Sequence, residues 1–134
     1  PGVRGFSLRV GASIDILKSC SGQVILAFSD AQSAAQILSA AAEEQSSVID
    51  EAALNGRLEV IRERGYDSRK SPITHGVTDI SFPVKGFDGH VIAALTIPFL
   101  ELIDGSQKVD AAAARSLLDA AVARISDALG YRSA

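Results

Sequence analysis

The stretch that decides the fold covers residues 76–100 and reads GVTDISFPVKGFDGHVIAALTIPFL. Its first half alternates apolar with polar or small residues, which is typical of a half-buried strand. Asp88-Gly89 then provides a favoured two-residue hairpin turn. The return strand is apolar at nearly every position, as expected when both faces of a strand are covered. The stretch therefore predicts an antiparallel β-hairpin.

Counting outward from the turn, with Phe87 facing His90, predicts the register and the two faces of the hairpin. The apolar face pairs Ile80 with Ile97, Phe82 with Leu95 and Val84 with Ala93. The other face is small and polar, and pairs Asp79 with Pro98, Ser81 with Thr96 and Pro83 with Ala94. An ordinary solvated face is one interpretation; a helix covering it would instead create a concave ligand pocket. A bulge at Pro83, which cannot donate to the ladder, would exchange the faces.

Helices are predicted on both sides of this strand block. The first covers residues 19–28, and the second begins at Ser29, which forms a capping-box pattern with Gln32. A third helix follows a cap at Ser46-Ser47 and ends at Gly65. A short strand over residues 5–10 precedes them. The last helix starts near Asp110 and ends at Gly130, with this predicted buried stripe: Ala114, Leu117, Ala121, Ile125 and Ala128.

Composition excludes several classes of protein. A chain of 134 residues, 47% hydrophobic and 22% charged, is typical of one globular domain. Its formal net charge of -3 argues against a general phosphate-binding surface. The single cysteine, Cys20, excludes an internal disulfide framework and a zinc site built on a cysteine pair. The longest apolar stretch, residues 91–100, is about half of a bilayer span. We expect a cytoplasmic domain with no metal, no cofactor and no membrane partner.

Three segments together resemble the effector-binding domain of the IclR family of bacterial transcription regulators. Residues 11–28, GASIDILKSCSGQVILAF, are similar to the family's glycine, Pro-Leu-His and Thr-Ala-x-Gly-Lys-Ala-Leu-Leu-Ala segment. Residues 61–66 read IRERGY, as the family's helix end does. Residues 76–97 are similar to the pattern GVxSIAAPVxDxxGxVVAALSV. The order and spacing of the three segments make the resemblance specific, and it spans nearly the whole chain.

The resemblance implies an α/β (α+β) fold, a GAF/profilin-like antiparallel sheet with flanking helices. It also implies a domain that binds a small-molecule effector and assembles regulators into dimers or tetramers. DNA would be a partner only through a separate N-terminal domain. We therefore expect residues 1–134 to form one effector-binding domain, N-terminally truncated, from a chain whose DNA-binding domain is absent here.

Carried over position by position, the resemblance assigns a set of ligand-binding residues and no catalytic or metal residues. Several of them depart from the family pattern: Asp79 replaces a small residue, Arg69 an acidic one and Pro98 a serine-like one. Leu17 and Gln23 depart as well, replacing the family's histidine and lysine. The assigned residues are Ser19, Cys20, Ser21, Gly22, Arg69, Asp79, Thr96 and Pro98.

A small organic or aromatic acid is the ligand that this set favours. Arg69, Thr96 and the N–H groups of a helix start at Ser21-Gly22 would hold its carboxylate. Two other functions remain open: an oligomerisation module with a degenerate pocket, and a small enzyme that uses Cys20 or His75. No nucleophile, base and orienting group emerge together from the sequence, so we expect a protein that is not an enzyme.

Overall fold

The computed structural model describes residues 9–45, 49–72, 74–107 and 109–132. Within these ranges four helices flank one antiparallel sheet with the strand order β1-β2-β3. This α+β architecture confirms the predicted fold class. In chain order the elements are α1 (Cys20–Phe28), α2 (Ala31–Gln45), α3 (Glu51–Arg64), β1 (Asp67–Lys70), β2 (Val77–Lys85), β3 (Val91–Leu100) and α4 (Ala111–Ala128).

Helix ends follow capping chemistry, at positions that differ in part from the prediction. The α3 N-cap is Asp50, whose carboxylate accepts from Ala53 N, rather than Ser46-Ser47, which lie outside the described residues. Asp30, not Ser29, caps α2 by accepting from Ser33 N at 2.7 Å. In both cases the cap is an aspartate that follows the predicted serine in the chain. The ionised oxygen of an aspartate is a strong acceptor and also suits the positive end of the helix dipole.

The C-terminal ends of the helices match the prediction more closely. Gly65 ends α3 in the left-handed conformation, with φ of 87°, and its N–H donates to Ile61 O. α4 starts where predicted, with Asp110 as an N-cap that accepts from Ala113 N, and Gly130 follows the helix with φ of 93°. Of the predicted first strand, residues 5–8 lie outside the described residues, while Val10 lies in a turn and is fully exposed.

The hairpin has the predicted register but not the predicted turn. Gly86 N donates to His90 O, so the loop between the paired residues has three residues, the last being Gly89 with φ of 81°. By itself, a loop one residue longer than the predicted two would exchange the two faces of the hairpin. A register shift beside Val84, where Lys85 pairs with Val91, leaves Ile92 as an extra residue and restores the pairing.

The restored register confirms every cross-strand pair predicted from residue 79 to residue 84. Pro83 causes no bulge. β1 pairs with β2 only as far as Ser81, so no β1 residue lies opposite Pro83 to receive a ladder hydrogen bond from it.

Helices cover both faces of the sheet, so the small-residue face is not open to bulk solvent. α4 packs on the apolar face, where its buried residues join Ile80, Phe82 and Val84 in one core cluster. α1 lies on the opposite face, and Ala94 of β3 packs against the second core cluster, which α1 shares with α3. The polar pairs therefore lie beneath α1, as a pocket would require.

The buried stripe of α4 differs from the prediction by one position. Leu117 and Ile125 are exposed, and the buried residues are Ala114, Leu118, Val122 and Ser126. Ser126 is buried because its hydroxyl accepts from Lys85 N at 3.1 Å, which satisfies a β2 amide that the bulge leaves without its regular strand partner.

In the part of the chain that the structure describes, no helix is long and apolar enough to cross a membrane.

Candidate functional site

The N-terminus of α1 lies against the two strands that carry the candidate residues. The Ser19 hydroxyl caps the helix by accepting from Gly22 N at 3.0 Å. The Cys20 thiol lies 3.6 Å from Asp67 O on β1 and 3.7 Å from Asp79 O on β2, where it donates to both carbonyls. Two strands and a helix start therefore meet at Cys20.

Cys20 is a packing residue rather than a nucleophile. It is 4% exposed, and burial together with the negative charge of Asp67 raises the pKa of its thiol to about 12. A thiol with that pKa is protonated at neutral pH and unreactive. His75 is exposed, and no hydrogen bond joins it to Cys20 among the residues with described coordinates. The geometry gives no support to a Cys20–His75 catalytic pair.

Gly22 has a steric role in holding α1 in place. A Cβ atom at this position would lie 2.3 Å from Ile16 O, far inside van der Waals contact. The helix can approach the preceding loop this closely only because the residue is glycine. Its neighbour Ser21 is partly exposed at the helix start.

The central charged group beneath α1 is Asp67, which the sequence analysis did not single out. Its side chain is 0% exposed, and its carboxylate accepts from two arginines. Arg57 Nη2 of α3 lies 3.1 Å from each carboxylate oxygen, while Arg69 Nε and Nη2 lie 3.0 and 2.8 Å from Oδ2. A buried carboxylate needs such partners, because an unpaired buried charge is costly.

Arg69 connects this ion pair to the loop before α1. Besides Asp67, its guanidinium donates to Lys18 O at 2.9 Å and to Oε1 of Gln23. Gln23 is 7% exposed and donates in turn to Leu17 O at 2.7 Å. Three of the residues at which this chain departs from the family pattern, Leu17, Gln23 and Arg69, thus form one hydrogen-bonded network.

Asp79 lies beside that network with its carboxylate only half-buried. On the sheet it pairs with Arg69 of β1 and with Pro98 of β3. Burial raises the pKa of the Asp79 carboxyl, and the positive charge of Arg69 offsets part of that increase. Within the described ranges, no hydrogen bond reaches the carboxylate. The Asp79 carboxylate therefore has acceptor oxygens that no described protein group occupies.

The next pair along the same face is Ser81 and Thr96. Ser81 is fully buried, and its hydroxyl accepts from Thr96 Oγ1 at 2.8 Å. Thr96 is half-buried, whereas Pro98 is exposed and forms the rim of the face. The register places Asp79 and Thr96 on one side of the sheet, as the counting from the turn predicted.

The structure therefore brings most of the candidate residues together. Cys20, Arg69, Asp79 and Pro98 are neighbours across α1 and the three strands, and Thr96 lies one pair further on. Gly22 faces the preceding loop rather than the strands. Among the described residues, no group of three or more histidine, cysteine or acidic side chains is arranged to hold a metal ion.

Asp67 escaped the sequence analysis because residues 67–70 read DSRK, in which no alternation of apolar and polar residues marks a strand. The available signal is chemical: an acidic residue directly after the aromatic end of IRERGY, with an arginine two positions later. Its partner Arg57 lies ten residues earlier on a helix, and only the packing of α3 against α1 brings it near.

Comparison with known proteins identifies the family. Residues 5–127 match the family model described as bacterial transcriptional regulator IclR C-terminal. No curated protein sequence matches the chain significantly.

Solved structures show the same fold. The crystal structure of Pseudomonas aeruginosa HmgR superposes with a TM-score of 0.74 at 30% identity, over 98% of this chain and 53% of that one. The C-terminal domain of Escherichia coli KdgR gives 0.65 at 26% identity, over 87% and 71%. Thermotoga maritima IclR shares the fold, with 0.69 at 23% identity, over 96% and 55%.

This chain spans about half the length of HmgR. The family match covers nearly all of the chain, and the fold and the hairpin register agree with it. The chain therefore belongs to the IclR family of bacterial transcriptional regulators and corresponds to their C-terminal domain.

Proposed function

We propose that this domain binds a small-molecule effector on the sheet face beneath the N-terminus of α1, in a cytoplasmic regulator. The observation that carries the proposal is the Asp79 carboxylate, which is half-buried and receives no hydrogen bond from any described residue. A ligand that donates to this carboxylate can form a charge-assisted hydrogen bond there, which is stronger than one between neutral groups. Pro98 pairs with Asp79 across the strands, and Thr96 lies one pair further along the same face.

The ligand proposed here is a small organic or aromatic acid that also carries a hydroxyl or amine donor. The donor would bind Asp79, and the acid group would bind Arg69 by displacing Gln23 from its guanidinium. This exchange is required because the possible anion partners are already occupied: Arg69 donates to three groups, Gly22 N donates to Ser19 and Thr96 donates to Ser81.

Such an exchange would also couple the site to the rest of the domain. Gln23 belongs to α1 and binds Leu17 O, while Arg69 shares Asp67 with Arg57 of α3. Releasing Gln23 therefore alters contacts of α1, α3 and the loop before α1 at once. An effector shifts a conformational equilibrium only through such differential contacts.

Oligomerisation is the second part of the proposal. Large apolar side chains are exposed on β3 and α4, among them Ile92 at 59%, Leu100 at 57% and Leu117 at 64%. Exposed apolar surface of this kind favours association with another subunit. We propose that homodimers or tetramers form in the full-length regulator, where effector binding alters DNA binding by the separate N-terminal domain.

A thermal-shift screen of hydroxy acids, simple organic acids and sugars tests the effector site. A ligand present at about 100 times its Kd stabilises the folded domain by about 2.7 kcal/mol. Asp79→Asn and Thr96→Ala should abolish or reduce that stabilisation. The matched control is Glu59→Gln, the same loss of charge at an exposed α3 position.

Two outcomes would contradict the proposal. If no compound stabilises the domain while it still forms stable oligomers, it is an oligomerisation module with a degenerate pocket. If a compound stabilises the parent protein and Asp79→Asn equally, its site lies elsewhere. Arg69→Ala distinguishes the role of the acid group from that of the donor group, because it should weaken the binding of acids much more than the binding of neutral sugars.

A further inference from the structure

A second concave site lies on the opposite side of the sheet from the proposed effector site. It is a cleft of about 420 Å³ between the end of α3 and the first half of α4. That volume is within the range of small-molecule sites, roughly 300–1,000 Å³. Its lining residues are Arg64, Gly65, Tyr66, Phe82, Arg115, Ser116 and Asp119.

An aromatic pair forms the fixed wall of this cleft. The Tyr66 ring stacks on Phe82 with ring centroids 5.1 Å apart and an interplanar angle of 20°. Phe82 is 6% exposed and belongs to the core cluster that α4 covers. The tyrosine ring is therefore held by the core on one side and presented to the cleft.

Two arginines converge on that tyrosine. The guanidinium carbon of Arg64 lies 4.4 Å from the ring centroid of Tyr66, and that of Arg115 lies 5.2 Å from it. Arg115 Nη1 also donates to Tyr66 Oη at 2.7 Å. One arginine comes from the end of α3 and the other from α4, so the tertiary fold brings the two charges together.

Neither arginine is neutralised by an acidic side chain in the ranges that the structure describes. Asp119 lines the cleft one helical turn after Arg115, yet forms no ion pair with it. The cleft thus carries two positive charges against one negative charge, although the chain as a whole has a formal charge of -3. Guanidinium groups left in this state bind phosphate and carboxylate groups well.

The effect of this local charge is visible on the tyrosine itself. Arg64 over the ring and the hydrogen bond from Arg115, together with the charges of both guanidinium groups, lower the pKa of the Tyr66 phenol. The phenolate is stabilised because it is an anion next to two cations. An anionic ligand in the same place would be stabilised for the same reason, and would compete with the phenolate for the positive charge of the two arginines.

We propose that this cleft is a second ligand site, which binds a small phosphate monoester with its phosphoryl group between Arg64 and Arg115, beside the Tyr66 ring. The dianionic phosphoryl group matches two guanidinium groups in charge, and a carboxylate would satisfy only half of that charge. The site is separate from the effector site because α4 and α1 cover opposite faces of the sheet.

The experiment uses phenyl phosphate as the probe and the phenolate absorbance of Tyr66 as the readout. The chain has two tyrosines, so the Tyr131→Phe variant leaves Tyr66 as the single reporter. Bound phenyl phosphate should raise the pKa of Tyr66, because its negative charge offsets that of the arginines. Calorimetry on the same protein gives the affinity, with benzoate and phenol as the monoanionic and neutral comparisons.

Arginine variants give the decisive result. Arg64→Ala and Arg115→Ala should each weaken phenyl phosphate binding at least about tenfold, because each removes a charge-assisted hydrogen bond to the phosphoryl group. Arg124→Ala, which removes the same charge from an exposed position of α4, should change the affinity less than about twofold. Asp79→Asn should leave it unchanged, which separates this site from the effector site.

Three results would overturn the proposal. The first is an equal loss of affinity in Arg124→Ala, which would show general attraction to charge. The second is an unchanged pKa of Tyr66 at saturating phenyl phosphate, which would place the probe elsewhere. The third is tighter binding of benzoate than of phenyl phosphate. The four substituted positions, Arg64, Arg115, Arg124 and Asp79, are all at least partly exposed. If Arg115→Ala is unstable, Arg115→Lys replaces it in the comparison, because it keeps the charge and removes the guanidinium group.

Discussion

Replacing Asp67 by asparagine tests whether the ion pairs beneath α1 hold this domain together. The change keeps the size of the side chain and removes its charge. Asp67 is fully buried, and its carboxylate accepts four hydrogen bonds from Arg57 and Arg69. An asparagine would offer one acceptor oxygen to two guanidinium groups, and its NH₂ group would face them as a second donor.

The expected cost follows from the exposure of the partners. Removing one member of a fully buried ion pair costs about 3–5 kcal/mol. The side chains of Arg57 and Arg69 are 43% and 22% exposed, so water can solvate part of their charge once Asp67 is neutral. We therefore expect Asp67→Asn to lower the free energy of unfolding by about 2 kcal/mol. For a domain of this length that corresponds to a decrease in Tm of about 8 °C.

Urea unfolding followed by far-ultraviolet circular dichroism measures this quantity. The midpoint should fall while the slope of the unfolding free energy with urea stays the same, because the surface exposed on unfolding is unchanged. The two arginines should differ. Arg69→Ala should cost more than Arg57→Ala, since Arg69 is less exposed and also binds Lys18 O and Gln23.

Glu59→Gln is the matched control, with the same chemical change at an exposed position of α3. It should stay within about 0.5 kcal/mol of the parent protein. If Asp67→Asn is as stable as this control, the ion pairs contribute nothing net and the reasoning is refuted. A variant more stable than the parent would mean that desolvation of Asp67 exceeds its Coulombic gain.

Three further predictions concern packing and ionisation. Gly22→Ala should destabilise the domain by about 1–3 kcal/mol in urea unfolding, because the added Cβ clashes with the backbone of the preceding loop. Gly56→Ala on α3, where open space surrounds the added Cβ, should stabilise the domain by about 0.5–1 kcal/mol. Equal effects of the two substitutions would contradict the steric argument. Cys20, whose pKa burial raises to about 12, should react with a disulfide reagent at neutral pH only at the rate of unfolding, and rapid labelling of the folded protein would oppose this. The hydrogen bond and charge of Asp88 raise the pKa of His90 in the folded protein. The pair therefore stabilises the fold at pH values below the unfolded-state pKa of His90, and this effect is lost as pH rises through its folded-state pKa. A nuclear magnetic resonance titration should show a lower His90 pKa in Asp88→Asn.

The hairpin shows how a sequence pattern can give the correct register through an incorrect turn. The loop has one residue more than Asp88-Gly89 predicts, and Ile92 is bulged out to compensate. Burial of Ile80 and Phe82 requires their face to point at α4, so the hydrophobic pattern fixes the pairing and the turn adapts to it. The register counted from a two-residue turn is correct because the extra loop residue and the bulged Ile92 cancel.

The α4 stripe shows the opposite case. Leu117 and Leu118 are adjacent and equally apolar, so helical periodicity fits a stripe through either of them. The sheet selects Leu118, since the Ser126 hydroxyl on the same stripe satisfies Lys85 N at the bulge. Burial of Leu118 thus goes together with a contact to a residue far along the chain, which helical periodicity does not contain.

The amino-acid sequence alone determined the antiparallel hairpin, its two faces, most helix boundaries and the family of regulators. These features depend on alternation, capping and short motifs, which are local in the chain. Only the tertiary structure placed Asp67 between Arg57 and Arg69, left the carboxylate of Asp79 without a donor, and brought Arg64 to Arg115 across Tyr66. Those contacts join side chains from separate helices and strands, and because no periodicity relates such residues, only the packing of α1, α3 and α4 on the sheet decides which charges meet.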